Sequence, residues 1–320
     1  LWKSLKRAFS YVFVRGLMSA AGAVPRSTAL RLFSTLGALA FYVLAKERVT
    51  TEVNLSLAMP QLSRRELRKQ ARRVWMDLGR NCVDVLRFPR MGWDEMEKLV
   101  RVDGLGTLEE VLSRGRGVVA VTGHIGNWEL LGAYLSMRGY PLSVLARPLR
   151  DARFERLIDR QRRAKGMRPI SRIGNARPAY ESLRRGGILG VLIDQDTSVK
   201  GVFCDFFGRP AFTPAGPAYL AMRTGAAVVP MAIYMQSDGT HLVRIMEPVD
   251  ASAKDRSEED LRAIEITREC TRSLEELIRH EPTQWVWMHE RWKTRPEQTA
   301  RSQEARPGEQ RSAGERGCCR

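Results

Sequence analysis

Four histidines occur in the 320 residues. One of them, His124, stands where a strand-forming run, Val118 to Thr122, gives way to a glycine turn. The stretch continues His124-Ile-Gly-Asn-Trp-Glu129. An imidazole followed five positions later by a carboxylate can form a base and its orienting partner. On one continuous helix the two would lie about 140° apart. Contact therefore requires His124 ahead of a helix and Glu129 inside it. Glu129 would then fix the tautomer of His124 and stabilise the imidazolium, leaving the other ring nitrogen to take a proton from a hydroxyl. General-base help of that kind is worth roughly 10²–10⁴ in rate. The spacing alone equally describes a helix-start histidine and an ordinary helical glutamate.

Other polar residues fall at the ends of strand-like runs, where open α/β sheets place their ligands. Arg147-Pro-Leu-Arg150-Asp follows the run Leu142 to Ala146, and Asp194-Gln195-Asp196 closes the run that starts at Ile188. With no further metal ligands evident nearby, Asp194-Gln195-Asp196 reads as positioning either a substrate or the basic stretch that precedes it. Between Arg147 and Arg185 there are thirteen Lys or Arg against four Asp or Glu, a basic shelf suited to an anionic substrate. Most of 153–165 reads as a solvated basic helix face; Arg147 stands apart because of its position. An aromatic, glycine-bearing loop, Phe203 to Pro214, could line an acyl pocket or belong to the core. Three tryptophans between Gln284 and Pro296 suit an interfacial belt or a packed edge, with His289 structural.

Apolar residues make up 43% of the chain, which supports a sizeable core. The formal charge of +17 favours an acidic or phosphorylated partner or an anionic membrane. Five scattered cysteines without a CxxC pair argue against a disulfide framework and a structural zinc site. A Gly-x-Ser-x-Gly elbow and a Walker A loop are both missing from the sequence.

Positioning these groups requires alternating strands and helices. Strand-like runs at 118–122, 142–146, 188–194, 227–235 and 241–246 alternate with helical patterns at 127–138, 154–165, 178–185 and 214–224. A helix over 62–90, which Ser63 can cap, precedes them, and one over 258–279 follows. The fold class is α/β, with a largely parallel central sheet flanked by helices and an N-terminal apolar helical membrane-associating segment. Three regions follow: residues 1–50 as that segment, 51–296 as the catalytic α/β domain, and 297–320 as a disordered basic tail. The first region holds two apolar runs framed by basic residues. It fits an interfacial or marginally spanning anchor, and alternatively a helical pair packed on the globular body.

Several pieces together resemble the bacterial lipid A late acyltransferases, the lauroyl/myristoyl transferases of lipopolysaccharide assembly, which are lysophospholipid acyltransferase-like. They include the basic-apolar N-terminus, Glu52 to Pro60, His124 with Glu129, Arg147-Pro148, Asp194-Gln195-Asp196, Phe206-Phe207-Gly208 with Thr213-Pro214, and Trp287 to Pro296. The resemblance implies an acyl carrier protein thioester as donor and a hydroxyl of an anionic lipid A precursor as acceptor. It implies His124 as general base, Glu129 as its orienting partner, and Arg147, Asp194, Gln195, Asp196 and Arg291 as substrate-binding residues. No cofactor, metal or nucleic acid is implied, and the site would lie at the cytoplasmic face of the inner membrane. One departure is the filler Ile125-Gly-Asn-Trp128, which points to another lysophospholipid or glycolipid as an alternative acceptor. A non-enzymatic basic tether for membrane or nucleic acid would instead bind salt-sensitively without using His124 or Glu129.

Overall fold

The computed structural model describes residues 2–252 and 256–297, apart from the side chains of 2–10, 12, 13 and 256. The tail expected to be disordered lies, from 298 onward, outside the described residues.

Four helices come first: α1 (Trp2–Ala23), α2 (Arg26–Val43), α3 (Ala45–Ala58) and α4 (Arg64–Arg87). After α5 (Trp93–Leu99), strands and helices alternate. They run β1 (Val100–Asp103), α6 (Leu105–Ser113), β2 (Val118–Thr122), α7 (Trp128–Met137), β3 (Leu142–Ala146), α8 (Ala152–Ala164), β4 (Arg168–Ser171), α9 (Arg177–Arg184) and β5 (Ile188–Leu192). A hairpin, β6 (Gly201–Phe206) with β7 (Arg209–Pro214), leads to α10 (Gly216–Thr224), β8 (Ala227–Met235), β9 (His241–Ile245) and α11 (Glu259–His280).

The sheet order is β1-β9-β8-β2-β5-β3-β4. Five neighbours, β8 to β4 in that order, are parallel; β9 runs against β8, and β1 follows β9. Both faces are covered, as a parallel sheet requires. Because side chains alternate along a strand, Val118 and Ala120 of β2 join one core with Leu130, Leu131 and Leu135 of α7. Val119 and Val121 join the other, with Ala218 of α10 and Ile266 of α11. The expectation of a largely parallel sheet flanked by helices holds.

Ser63 caps α4 through a reciprocal capping box with Glu66, which satisfies two otherwise orphaned donors. Helix α2 lies on α4 at very close approach. A Cβ on Gly37 would fall 2.1 Å from the Trp75 carbonyl oxygen, and one on Gly79 would fall 2.2 Å from that of Phe33. Through that face α2 buries Ala29, Phe33 and Phe41. Leu32, Leu36, Leu39 and Val43 recur at helical spacing on another face and remain exposed, Val43 by 77%. The stripe continues onto α3 at Val49 and Val53. Among the described residues no single helix is long and apolar enough to cross a membrane; α2 and α3, bent by 94° at their junction, reach that length and composition only together.

Candidate active site

Strands β2 and β5 are parallel neighbours in register, with Thr122 opposite Leu192. Two residues beyond each strand end, His124 and Asp194 therefore come side by side. Asp194 Oδ1 accepts from His124 Nδ1 at 2.9 Å, and its Oδ2 accepts from the His124 backbone N–H at 2.7 Å and from Trp285 Nε1 at 2.8 Å. Burial of Asp194 works to raise its pKa. The neighbouring His124 charge and the hydrogen bonds from His124 and Trp285 outweigh that and hold the carboxyl below the usual carboxylate range.

The turn carrying His124 is tightly built. Gly126 has φ 55°, and a Cβ there would sit 1.9 Å from the Ile233 carbonyl oxygen, so no other residue fits. The Gly126 N–H donates to the Gln284 carbonyl, and the Val286 N–H donates to the His124 carbonyl. Gln284 is itself held by both main-chain groups of Met235. Asn127 then caps α7 by accepting from Leu130 N–H at 3.0 Å, while its amide donates to the Asn81 carbonyl.

Glu129 lies in the first turn of α7, as the spacing required, but its partner is different from the expected one. It accepts from Arg162 Nε at 3.0 Å in a second, parallel contact with Arg162 Nη2. The Nδ1 atom of His124 is taken by Asp194, expected instead to position substrate. Sequence proximity favoured Glu129; strand register brings Asp194, seventy residues away, under the ring. Arg162 belongs to the stretch expected to be a solvated basic face, and the structure turns it inward.

His124 sits at a cavity of about 480 Å³. Arg147, expected at the site, lines it together with Arg150, Arg162 and Arg172. Burial, and then the charge of Arg147, lower the pKa of Arg172. Gln195 also lines it, with its Nε2 lying 3.3 Å from His124 Nε2 and 2.7 Å from His289 Nε2. The two histidine rings are 5.0 Å apart, and Trp128 meets His124 edge-on at 4.8 Å. Burial, followed by repulsion from His124, pushes the His289 pKa down to about 4. A neutral His289 can accept the Gln195 amide proton.

Asp196 and Arg291 are placed otherwise than expected. Asp196 accepts from the backbone and hydroxyl of Thr294 at 2.7 and 3.0 Å. Arg291 is 1% exposed, donates to the Phe212 carbonyl and Thr213 Oγ1, and lies 4.9 Å from the Phe206 ring centre. Burial lowers its pKa to about 10. Neither lines the cavity, because both are committed to tying 291–294 to the hairpin and to the β5 end. The aromatic loop 203–214 is that hairpin, and Phe206 and Phe207 are core.

Glycines stand on two walls of the cavity, Gly190 and Gly132. Gly190 stands in register between Ala120 and Val144 across the sheet. Gly132 of α7 and Met167 close it from the other side. A Cβ on Gly190 would find only ordinary contact, with Val144 Cγ1 at 3.6 Å, so a small side chain fits there without a clash. The site is thus an apolar slot with an imidazole at its mouth and guanidinium groups around the rim. Among the described residues no group of three His, Cys, Asp or Glu is arranged to hold a metal ion.

A family model described as bacterial lipid A biosynthesis acyltransferase matches residues 3–294. The chain belongs to that family. It is an enzyme that transfers acyl groups. A phosphatidylinositol mannoside acyltransferase of Mycobacterium tuberculosis (strain CDC 1551 / Oshkosh) is 28% identical over 221 residues, 67% of each chain. A lipid A biosynthesis palmitoleoyltransferase of Escherichia coli (strain K12) is 27% identical over 271 residues, 83% of this acyltransferase and 85% of that chain. A lipid A biosynthesis lauroyltransferase of the same organism is 25% identical over 280 residues, 86% and 88% of the two chains.

Proposed function

We propose that this acyltransferase moves a fatty acyl chain from an acyl carrier protein thioester to a hydroxyl of a phosphate-bearing glycolipid. The observation that carries the reading is the His124–Asp194 pair at the mouth of a slot that is apolar within and arginine-rimmed without. With Nδ1 held by Asp194, His124 Nε2 takes the proton of the acceptor hydroxyl. The oxygen attacks the thioester carbonyl, the C–S bond breaks, and the leaving thiolate recovers the proton from the imidazolium. Asp194 keeps the ring in one tautomer and stabilises its cationic form. Glu129 acts at the rim through Arg162 rather than on the imidazole, and Gln195 braces the ring from the His289 side. Arg147 and Arg172 offer forked donors to a phosphate of the acceptor or of the donor's phosphopantetheine, while Arg162, its fork taken by Glu129, adds positive charge beside them. Asp196 and Arg291 contribute indirectly, through the loop they anchor.

The acyl chain occupies the slot beside Gly190 and Gly132. The excess of positive charge suits an acidic carrier protein. The exposed Leu32–Val43 stripe, beside Arg31, Lys46 and Arg48, suits an anionic bilayer surface, and we place the enzyme at the cytoplasmic face of the inner membrane. The acceptor is a lipid A precursor; relatives named for phosphatidylinositol mannoside favour, as a second reading, another phosphorylated glycolipid. The test is transfer from an acyl carrier protein thioester to candidate glycolipids, followed by mass spectrometry. His124→Ala should abolish product while the chain still folds, as circular dichroism checks, with a lowered melting temperature because Asp194 loses its partner. Full activity in that variant on a verified substrate overturns the reading.

A further inference from the structure

Helix α8 divides two cavities. Glu155, Ile158 and Arg162 face the acyl-transfer slot, whereas Leu157, Arg160 and Gln161 face a second cleft of about 490 Å³ between α8, α1 and the segment that ends α4. We propose that this second cleft binds the phosphate headgroup of an anionic lipid, separately from the acyl-transfer site.

Four cations line the cleft: Arg15 from α1, Arg90 after α4, and Arg160 and Lys165 at the end of α8. No carboxylate lines it. Among the described residues Arg15, Arg90 and Arg160 form no ion pair, although Arg153 and Arg162 of α8 do. Lys165 is buried and its Nζ donates to the Met91 carbonyl, which fixes a positive charge in the cleft wall. Like charges converge only at a cost unless an anion joins them, and guanidinium forks match phosphate oxygens two at a time.

The remaining lining distinguishes a lipid from a free anion. Met18, Leu86 and Leu157 present apolar surface beside the charges, which suits the glycerol and first methylenes below a headgroup. The cleft is also firmly framed, because Arg87 of α4 donates to the carbonyls of Ala21 and Val24 and so pins the end of α1. A ligand here would contact the N-terminal helices and α8 together.

The test uses the full chain and isothermal titration with three soluble probes: dihexanoyl phosphatidate, dihexanoylglycerol and inorganic phosphate. Phosphatidate should bind, and the other two should bind far more weakly. Arg90→Gln with Arg160→Gln should weaken phosphatidate by about tenfold or more, as loss of charge-assisted hydrogen bonds predicts. Ala164→Phe, which fills the cleft without changing charge, should do the same. The control Arg64→Gln with Arg68→Gln, which removes equal charge from the start of α4, should bind as the parent does, and Arg147→Gln at the acyl-transfer rim reports any binding at that other site. All substituted positions are exposed, and melting temperatures check the fold. The proposal is overturned by any of three outcomes. Inorganic phosphate could bind as tightly as the lipid, the α4 control could lose as much affinity as the cleft variant, or affinity could follow Arg147.

Discussion

Asp194→Asn isolates the electrostatic part of the site. The substitution keeps shape and removes one charge from a group that is 1% exposed. Two unit charges about 4 Å apart at an effective dielectric constant near 20 interact by about 4 kcal/mol. The His124 side chain is one-fifth exposed, so roughly half of that survives as a lower bound, giving about 2–4 kcal/mol. On the transition-state scale this is a loss of roughly 30- to 1000-fold in kcat. An asparagine also cannot accept at both oxygens, so its amide NH2 faces a donor, either the ring nitrogen or the backbone N–H and Trp285. Single-turnover transfer from an acyl carrier protein thioester, with KM measured separately, reads the effect. The matched control is Glu129→Gln. Its carboxylate and Arg162 are each 18% exposed, and losing that pair should cost less than about tenfold in kcat, with the larger change in KM. If Glu129→Gln lowers kcat as much as Asp194→Asn, or more, the assignment of the carboxylate under the imidazole is refuted.

Other outcomes are expected. Gly190→Val, projecting into the slot, should shift preference toward acyl chains shorter by about two to four carbons, since each buried methylene is worth about 1 kcal/mol; competition between thioesters of different length measures it. Leu39→Glu with Val43→Glu should release the enzyme from anionic vesicles in flotation while leaving its melting temperature unchanged, and retained binding counts against the α2 stripe as the contact. His289 and His241 both titrate below an unperturbed histidine, chiefly because of burial. The unfolded chain therefore binds more protons, and stability should decline as pH falls below about 6.5, toward 4 in the case of His289. In His289→Gln that decline should be shallower by up to about 1.4 kcal/mol per pH unit, which denaturant titration at several pH values checks.

Much of the sheet is legible in the sequence because buried parallel strands read as uninterrupted apolar runs. The stretches 118–122, 142–146 and 227–235 appear in the structure with those limits. Three pieces escape. Strands β1 and β4 are four residues long and mix charged with apolar positions. The β6–β7 hairpin turns at Phe207-Gly208, both with positive φ, and its aromatic content reads as a pocket loop. At the site, His124 and Asp194 are each recognisable as strand-end residues. Their partnership is not, because adjacency of β2 and β5 is a property of topology. Once strand order is known, equal distance beyond in-register ends is enough to predict it. Arg162 shows the opposite limitation. On helical spacing it is one arginine among many, and only the packing of α8 beside α7 distinguishes it from its neighbours.

The hydrogen bonds that 284 and 286 share with the His124 turn join positions about half the chain apart. A ribosome must release nearly the entire catalytic domain before the imidazole acquires its working geometry. A chain cut short ahead of Gln284 could still assemble much of its sheet, yet it would lack both the Trp285 indole on Asp194 and the main-chain brace behind the turn. Acyl transfer is thereby withheld from incomplete molecules.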